Sequence, residues 1–201
     1  MDKNHIIEAP KFINLLVFEI KSLLGRYFKK HSNKIKILKS PALLDLGCGN
    51  NFTDGWIHVD FYLFQFKFWK KYRLPEVQAD FRYPLNCHDN IIDGVYCGHT
   101  LEHLYPDQAY NFLNEIYRVL KPQSWLRINV PDLKVAVDFY NGKIDLPEYK
   151  YKVEAIANLT QNSGHCSVWD SELLYVALEN TGFVNIREVE FGREGMDIRL
   201  I

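Results

Sequence analysis

The stretch Ala42-Leu43-Leu44-Asp45-Leu46-Gly47-Cys48-Gly49-Asn50-Asn51 decides the fold. A short apolar run ends in an acid and then in two glycines separated by one residue. Such a run, bounded by turn residues, reads as a buried parallel strand that breaks into a loop. Gly47 and Gly49 leave no Cβ in the way of a ligand and tolerate left-handed backbone. Asp45 falls near the strand's carboxyl end, where open α/β sheets hold ligands at a topological switch point. The third glycine of a dinucleotide fingerprint is missing, because Phe52 stands in its place.

Working outward, Trp56-Ile57-His58-Val59-Asp60-Phe61 alternates as a second strand, with only Asn51 to Gly55 separating it from the glycine loop. A parallel connection usually needs a dozen or more residues, so the first crossover helix is expected to be missing or reduced to a turn. A helix is expected over Lys11 to Lys30, with Phe12, Leu15, Leu16, Ile20, Leu23, Leu24 and Tyr27 apolar and Lys21, Arg26, Lys29 and Lys30 basic. It either covers the sheet face or ligand site left bare, or makes a basic amphipathic contact with a membrane surface or partner. Phe61 to Arg73 interleaves aromatic and basic residues, which fits a core-facing helix with a solvated basic face, or a surface that stacks on sugars, bases or a membrane interface.

Further along, Val77 to Phe81 and Ile91 to Gly98 read as strands three and four. A helix is expected from Asp107 to Leu120, striped by Ala109, Phe112, Leu113, Ile116, Tyr117 and Leu120 and stopped by Lys121-Pro122. Trp125 to Val130 is the fifth strand. Lys134 to Ser163 is a long insertion of the kind that caps a substrate site. Trp169 to Thr181 is a helix with Asp170 or Ser171 as cap and Gly182 as stop, and Phe183 to Phe191 with Asp197 to Ile201 reads as a closing hairpin.

With Asp45-Leu46-Gly47-Cys48-Gly49 followed by Asp60, Asp80 and the runs Glu115 to Pro122 and Leu126 to Pro131, residues 42–201 resemble the class I S-adenosylmethionine-dependent methyltransferases of the type 11-like family. The resemblance implies a Rossmann-like α/β fold, mostly parallel with an antiparallel last strand, here with a shortened first crossover. It implies S-adenosyl-L-methionine as cofactor, bound by Asp45, Gly47, Cys48, Gly49, Asn50, Asp60, Phe61, Ala79, Asp80, Phe81, Gly98 and His99. Asp60 would accept both ribose hydroxyls, as an acceptor with two oxygens can. Asp80 would lie near the adenine amino group, His99 would line the methionine end, and Glu102 and His103 would form the pocket rim. Residues 1–40 are then a helical extension packed on the core, 41–201 the methyltransferase domain, and 134–168 its substrate cap.

His99-x-x-Glu102-His103 also has the spelling of an inverted zinc-protease motif. That chemistry needs both histidines on one helical face, whereas a loop is expected directly after Gly98. A zinc metalloprotease is thus a remote alternative, and no metal is expected. Methyl transfer to oxygen needs a general base, for which His103 and His165 are the candidates and Asp132 the third. The family's enzymes that methylate adenine or glutamine nitrogens carry a proline-rich motif after the fourth strand. Cys97-Gly98-His99-Thr100 stands there instead. The expected reaction is therefore O-methylation of a small molecule or saccharide; the alternative is a non-catalytic S-adenosylmethionine-binding module.

Composition sets outer bounds. The 201 residues suit one domain, and a net charge of -1 speaks against bulk capture of duplex nucleic acid. Cys48, Cys87, Cys97 and Cys166 form no Cys-x-x-Cys pair, which fits reduced thiols in a cytoplasmic protein. Peripheral membrane contact through 11–30 or 61–73 stays open, and oligomeric state is not legible.

Overall fold

A computed structural model of the chain describes residues 12–28, 34–37, 40–61, 74–160 and 164–189. Five strands form one sheet in the order β3-β2-β1-β4-β5: β1 (Leu43–Leu46), β2 (Trp56–Asp60), β3 (Val77–Gln78), β4 (Ile92–Gly98) and β5 (Leu120–Asn129). Every described pairing is parallel. The antiparallel last strand expected within 183–201 is not among them: residues 183–189 are irregular, and 190–201 lie outside the described residues. The aromatic-basic stretch 62–73 also lies outside them.

The register divides the sheet into two chemically different faces. Leu44, Leu46, Val59, Val95, Cys97 and Leu126 point one way and join a core with Phe112, Leu113 and Ile116 of α2 (Pro106–Val119) and with Ala177 and Leu178 of α5 (Ser171–Thr181). The opposite face carries Asp45, His58, Asp60, Tyr96 and Arg127, with the rings of Trp56 and Trp125 meeting 5.9 Å apart. Trp125 lies across Gly94, where a Cβ would collide with its indole.

The first crossover is indeed a loop. The nine residues 47–55 can span about 30 Å, enough to run back along a four-residue strand of about 13 Å. What a helix would have supplied in rigidity comes from side chains. The fully buried His58 accepts the Thr53 N–H at Nε2 (2.9 Å) while its Nδ1 and backbone N–H both meet Glu76 Oε2. With Nε2 accepting, Nδ1 carries the proton. The Phe52 ring rests on that imidazole, at 4.9 Å between centroids.

Helix α1 (Phe12–Phe28) makes its described contacts at the carboxyl ends of β2 and β3: Phe18 against Phe61, Glu19 to Arg82, and Ser22 to Asp80. These contacts lie at the ligand end of the sheet. Leu16, Ile20, Leu23, Leu24 and Tyr27, expected to pack inward, are exposed.

Three boundaries move. The third strand stops at Gln78, short of Phe81. Helix α2 ends at Val119 because Leu120 already has extended backbone, and Lys121-Pro122 sits inside β5, in a bulge between its pairings with Ile92 and Gly94. Helix α5 keeps its expected ends, with Asp170 accepting from Leu173 N and Gly182 closing it at φ 112°. The insertion holds two helices, α3 (Leu133–Tyr140) and α4 (Lys152–Thr160), joined by a small core of Ala136, Phe139, Ala155 and Leu159. No helix among the described residues is long and apolar enough to cross a membrane.

The two glycines of the loop differ in what they tolerate. Gly47, at φ 81°, has no room for a Cβ, which would strike Thr100 Oγ1; Gly49, at φ 54°, faces open space. Gly47→Ala is expected to cost about 3 kcal/mol and Gly49→Ala about 1 kcal/mol. Thermal melts of the two variants check this, the first falling by at least twice as many degrees.

Candidate functional site

The switch point of this sheet lies between β1 and β4, which leave their shared edge toward loops on either side of one crevice. Residues 47–50 form one lip and 99–103 the other. Thr100, which the sequence did not single out, couples them. Its buried hydroxyl stands 3.1 Å from the carbonyls of both Leu46 and Gly98, and it is the group that forbids a side chain at Gly47.

Asp60 holds the glycine lip in place. Its Oδ2 accepts the Gly49 N–H at 2.8 Å and its Oδ1 the Phe61 N–H at 2.6 Å. Each carboxylate oxygen can accept a further hydrogen bond, so the expected ribose contact is compatible with this arrangement. Asp45 is buried, and its Oδ1 has no hydrogen-bond partner. Burial, opposed by His58 and reinforced by Asp60, pushes its carboxyl up to about 6. An orphaned carboxylate oxygen on the strand that feeds the glycine loop fits a bound polar ligand.

Other expected cofactor residues divide by what they touch. Asp80 is engaged by Arg82, by both Nε and Nη2, and by Ser22 Oγ. Burial raises its pKa, but these hydrogen bonds outweigh it and hold the carboxyl below the usual range. Phe81 stacks on Phe112 at 4.6 Å, and Ala79 donates to the Asp60 carbonyl. Asn50 is exposed. Cys48 is buried, with its thiol pushed up to about 12 by burial and then by Asp60 and Asp45, so it stays protonated at neutral pH. Gly98 lies under the Tyr96 ring.

The second lip carries the reactive groups. His99 sits in left-handed backbone at φ 52°, unusual for a residue with a Cβ, with its N–H on the Asn129 carbonyl and its ring largely exposed. The turn Leu101–His103 follows. Glu102, expected at the pocket rim, lines the cavity but is buried, at 2 % exposure; His99 Nδ1 stands 3.3 Å from its Oε1, and neither carboxylate oxygen has a hydrogen-bond partner. His103 is exposed, and its ring meets that of His165 edge-on at 4.9 Å. His165 arrives from the far side of the insertion because the Glu102 carbonyl accepts from Cys166 N (2.6 Å) and Ser167 N (3.1 Å). Burial, then the charge of His103, lowers the His165 pKa.

His103, His165 and Asp132 therefore converge on one cavity of about 450 Å³, walled by Val135, Ala136, Leu146, Ala155 and Leu159 of the insertion. Asp132 also has a structural duty: it caps α3 by accepting from Lys134 N at 2.7 Å. Polar groups of Glu148, Tyr149 and Asn158 complete the wall. His99 and His103 do not share a helical face, and nothing in this geometry supports a zinc protease.

Residues 44–128 match the family described as Methyltransferase domain. No curated protein matches the chain. Among solved structures it resembles a SAM-dependent methyltransferase from Archaeoglobus fulgidus (21% identity, 87% of this chain and 76% of that one, TM-score 0.47). It also resembles a Pyrococcus horikoshii OT3 protein (16%, 85% and 82%, 0.47) and Haemonchus contortus phosphoethanolamine N-methyltransferase 2 in complex with S-adenosyl-L-methionine (17%, 90% and 39%, 0.43). Residues 44–128 thus carry the sequence pattern of a methyltransferase domain, laid on a parallel α/β sheet.

The raised carboxyl of Asp45 has a stability signature. An unfolded aspartate titrates near 4 and the folded one near 6, so the native state binds the extra proton and loses stability as pH rises between those values. Asp45→Asn is expected to stabilise the fold by up to about 3 kcal/mol at pH 8 and negligibly at pH 4. Thermal unfolding of both proteins at the two pH values checks this.

Proposed function

We propose that the enzyme methylates a hydroxyl oxygen of a small molecule or saccharide held in the cavity between the second lip and helices α3 and α4. The observation that carries this reading is the convergence of His103, His165 and Asp132 on one cavity that also takes in His99 of the second lip. Its wall mixes apolar side chains with hydrogen-bonding groups of Glu148, Tyr149 and Asn158, a combination suited to a hydroxylated ring. The insertion thus acts as the substrate cap of the domain, and the amino-terminal helix lies against the ligand end of β2 and β3.

In this reading Gly47 and Gly49 let the cofactor approach the backbone, Asp60 accepts from its ribose, and Asp45 takes a polar group at the crevice floor. When bound, S-adenosylmethionine supplies a sulfonium methyl group whose S–C bond breaks as the acceptor's O–C bond forms. The chain aligns the acceptor, excludes water beneath α3 and α4, and takes the hydroxyl proton at the His103–His165 pair. The exposed apolar stripe of α1 supports the peripheral contact read from residues 11–30.

Calorimetric titration with S-adenosylmethionine is expected to give one site per chain, weakened at least tenfold in Asp60→Ala. In a screen of sugars and hydroxylated small molecules, read by S-adenosylhomocysteine release, His165→Asn is expected to lower kcat by about 10²–10⁴ while cofactor affinity holds within about twofold. Turnover of amines alone would refute the oxygen assignment. Cofactor binding without turnover of any acceptor would favour a non-catalytic binding module.

A further inference from the structure

Glu102 is the anomaly of the site. A carboxylate at 2 % exposure with neither oxygen hydrogen-bonded is costly to bury; the largely exposed His99 approaches Oε1 at 3.3 Å through Nδ1, and a metal ion is the other way proteins offset that cost. His165 Nδ1, also buried, likewise has no hydrogen-bond partner. One ligand atom each from Glu102, His103 and His165 lies within 4.8 Å of the other two. We propose that these three residues bind a divalent first-row transition-metal ion, at the acceptor end of the cavity.

The donor set selects the ion. Two imidazole nitrogens and one carboxylate suit zinc, cobalt or manganese, whereas magnesium and calcium favour all-oxygen shells. Ligand bonds of about 2.1 Å set neighbouring ligand atoms about 3.4 Å apart in a tetrahedron. The three ligand atoms here lie within 4.8 Å of one another, and rotation of the exposed His103 would bring its nitrogen closer to the other two. Less adjustable members are already fixed. Glu102 sits in the Leu101–His103 turn, and the loop bearing His165 is stitched to that turn through Cys166 N, Ser167 N and the Ser167 hydroxyl, which donates to the Leu101 carbonyl. Three protein ligands leave coordination positions open toward the cavity, where an acceptor oxygen would complete the shell and hold its proton less tightly.

This inference rests on the proposed placement of the acceptor in the cavity, and it recasts the histidine pair as ligands. The test therefore reads metal alone. Chelator-stripped full-length protein is titrated with Co²⁺, followed by its visible absorption, and then with Zn²⁺ as competitor. One equivalent of Co²⁺ should bind, Zn²⁺ should displace it, and Glu102→Gln and His165→Asn should each weaken Co²⁺ binding at least tenfold. Thermal melts confirm that the variants fold, and either folded variant suffices. Absence of saturable Co²⁺ binding, or unchanged affinity in a folded variant, overturns the site. If metal fails to bind while the S-adenosylmethionine isotherm stands, this inference falls and the methyltransferase reading survives. If metal binds and no acceptor is turned over, the site stands and the proposed acceptor chemistry falls.

Discussion

The carboxylate of Asp60 does the work that a helix does elsewhere. A parallel strand pair normally returns through a packed helix that fixes both its ends. Here the return is nine residues long, and the glycine loop would be free to flap without an anchor. Asp60 supplies it by accepting the Gly49 N–H, and the His58–Glu76 pair supplies a second by holding Thr53. The side chain proposed to hold the ribose thus also fixes the loop.

From that constraint the rest of the site follows. Fixing the first lip against β2 leaves Thr100 to fix the second lip against the first, through the carbonyls of Leu46 and Gly98. The second lip then presents Glu102 and His103 at a set height above the sheet. The backbone of Glu102 in turn captures the loop that brings His165 in from beyond α4. Each step is a hydrogen bond to backbone, which positions a side chain without spending its own polar atoms. That leaves Asp45, Glu102 and His165 with buried atoms that make no hydrogen bond, the pattern expected where ligands complete the polar balance.

The glycine loop, the parallel strands and the missing crossover were legible because they rest on local chemistry and chain length. Gly47 and Gly49 announce left-handed backbone, and five intervening residues cannot hold a helix and its turns. Helix α5 was legible for the same reason, with Asp170 and Gly182 as its caps. The fate of Asp80 was not, since its partner Ser22 lies 58 positions away. Burial of Glu102 was hidden too, because a short turn has no periodicity to assign an inward face. His58 was readable only in hindsight: strand alternation puts it beside Asp45 and Asp60, but nothing local says that its ring will accept the Thr53 N–H. Exposure of the α1 stripe could not be read from helical spacing, which shows an apolar face without showing what covers it.

The most direct test of the account is a crystal structure of the protein with S-adenosylhomocysteine. The account places the ligand across residues 47–50, its ribose hydroxyls on Asp60 and its sulfur facing the cavity lined by His99, His103 and His165. A ligand bound with its ribose away from Asp60, or with its sulfur turned from that cavity, would contradict it.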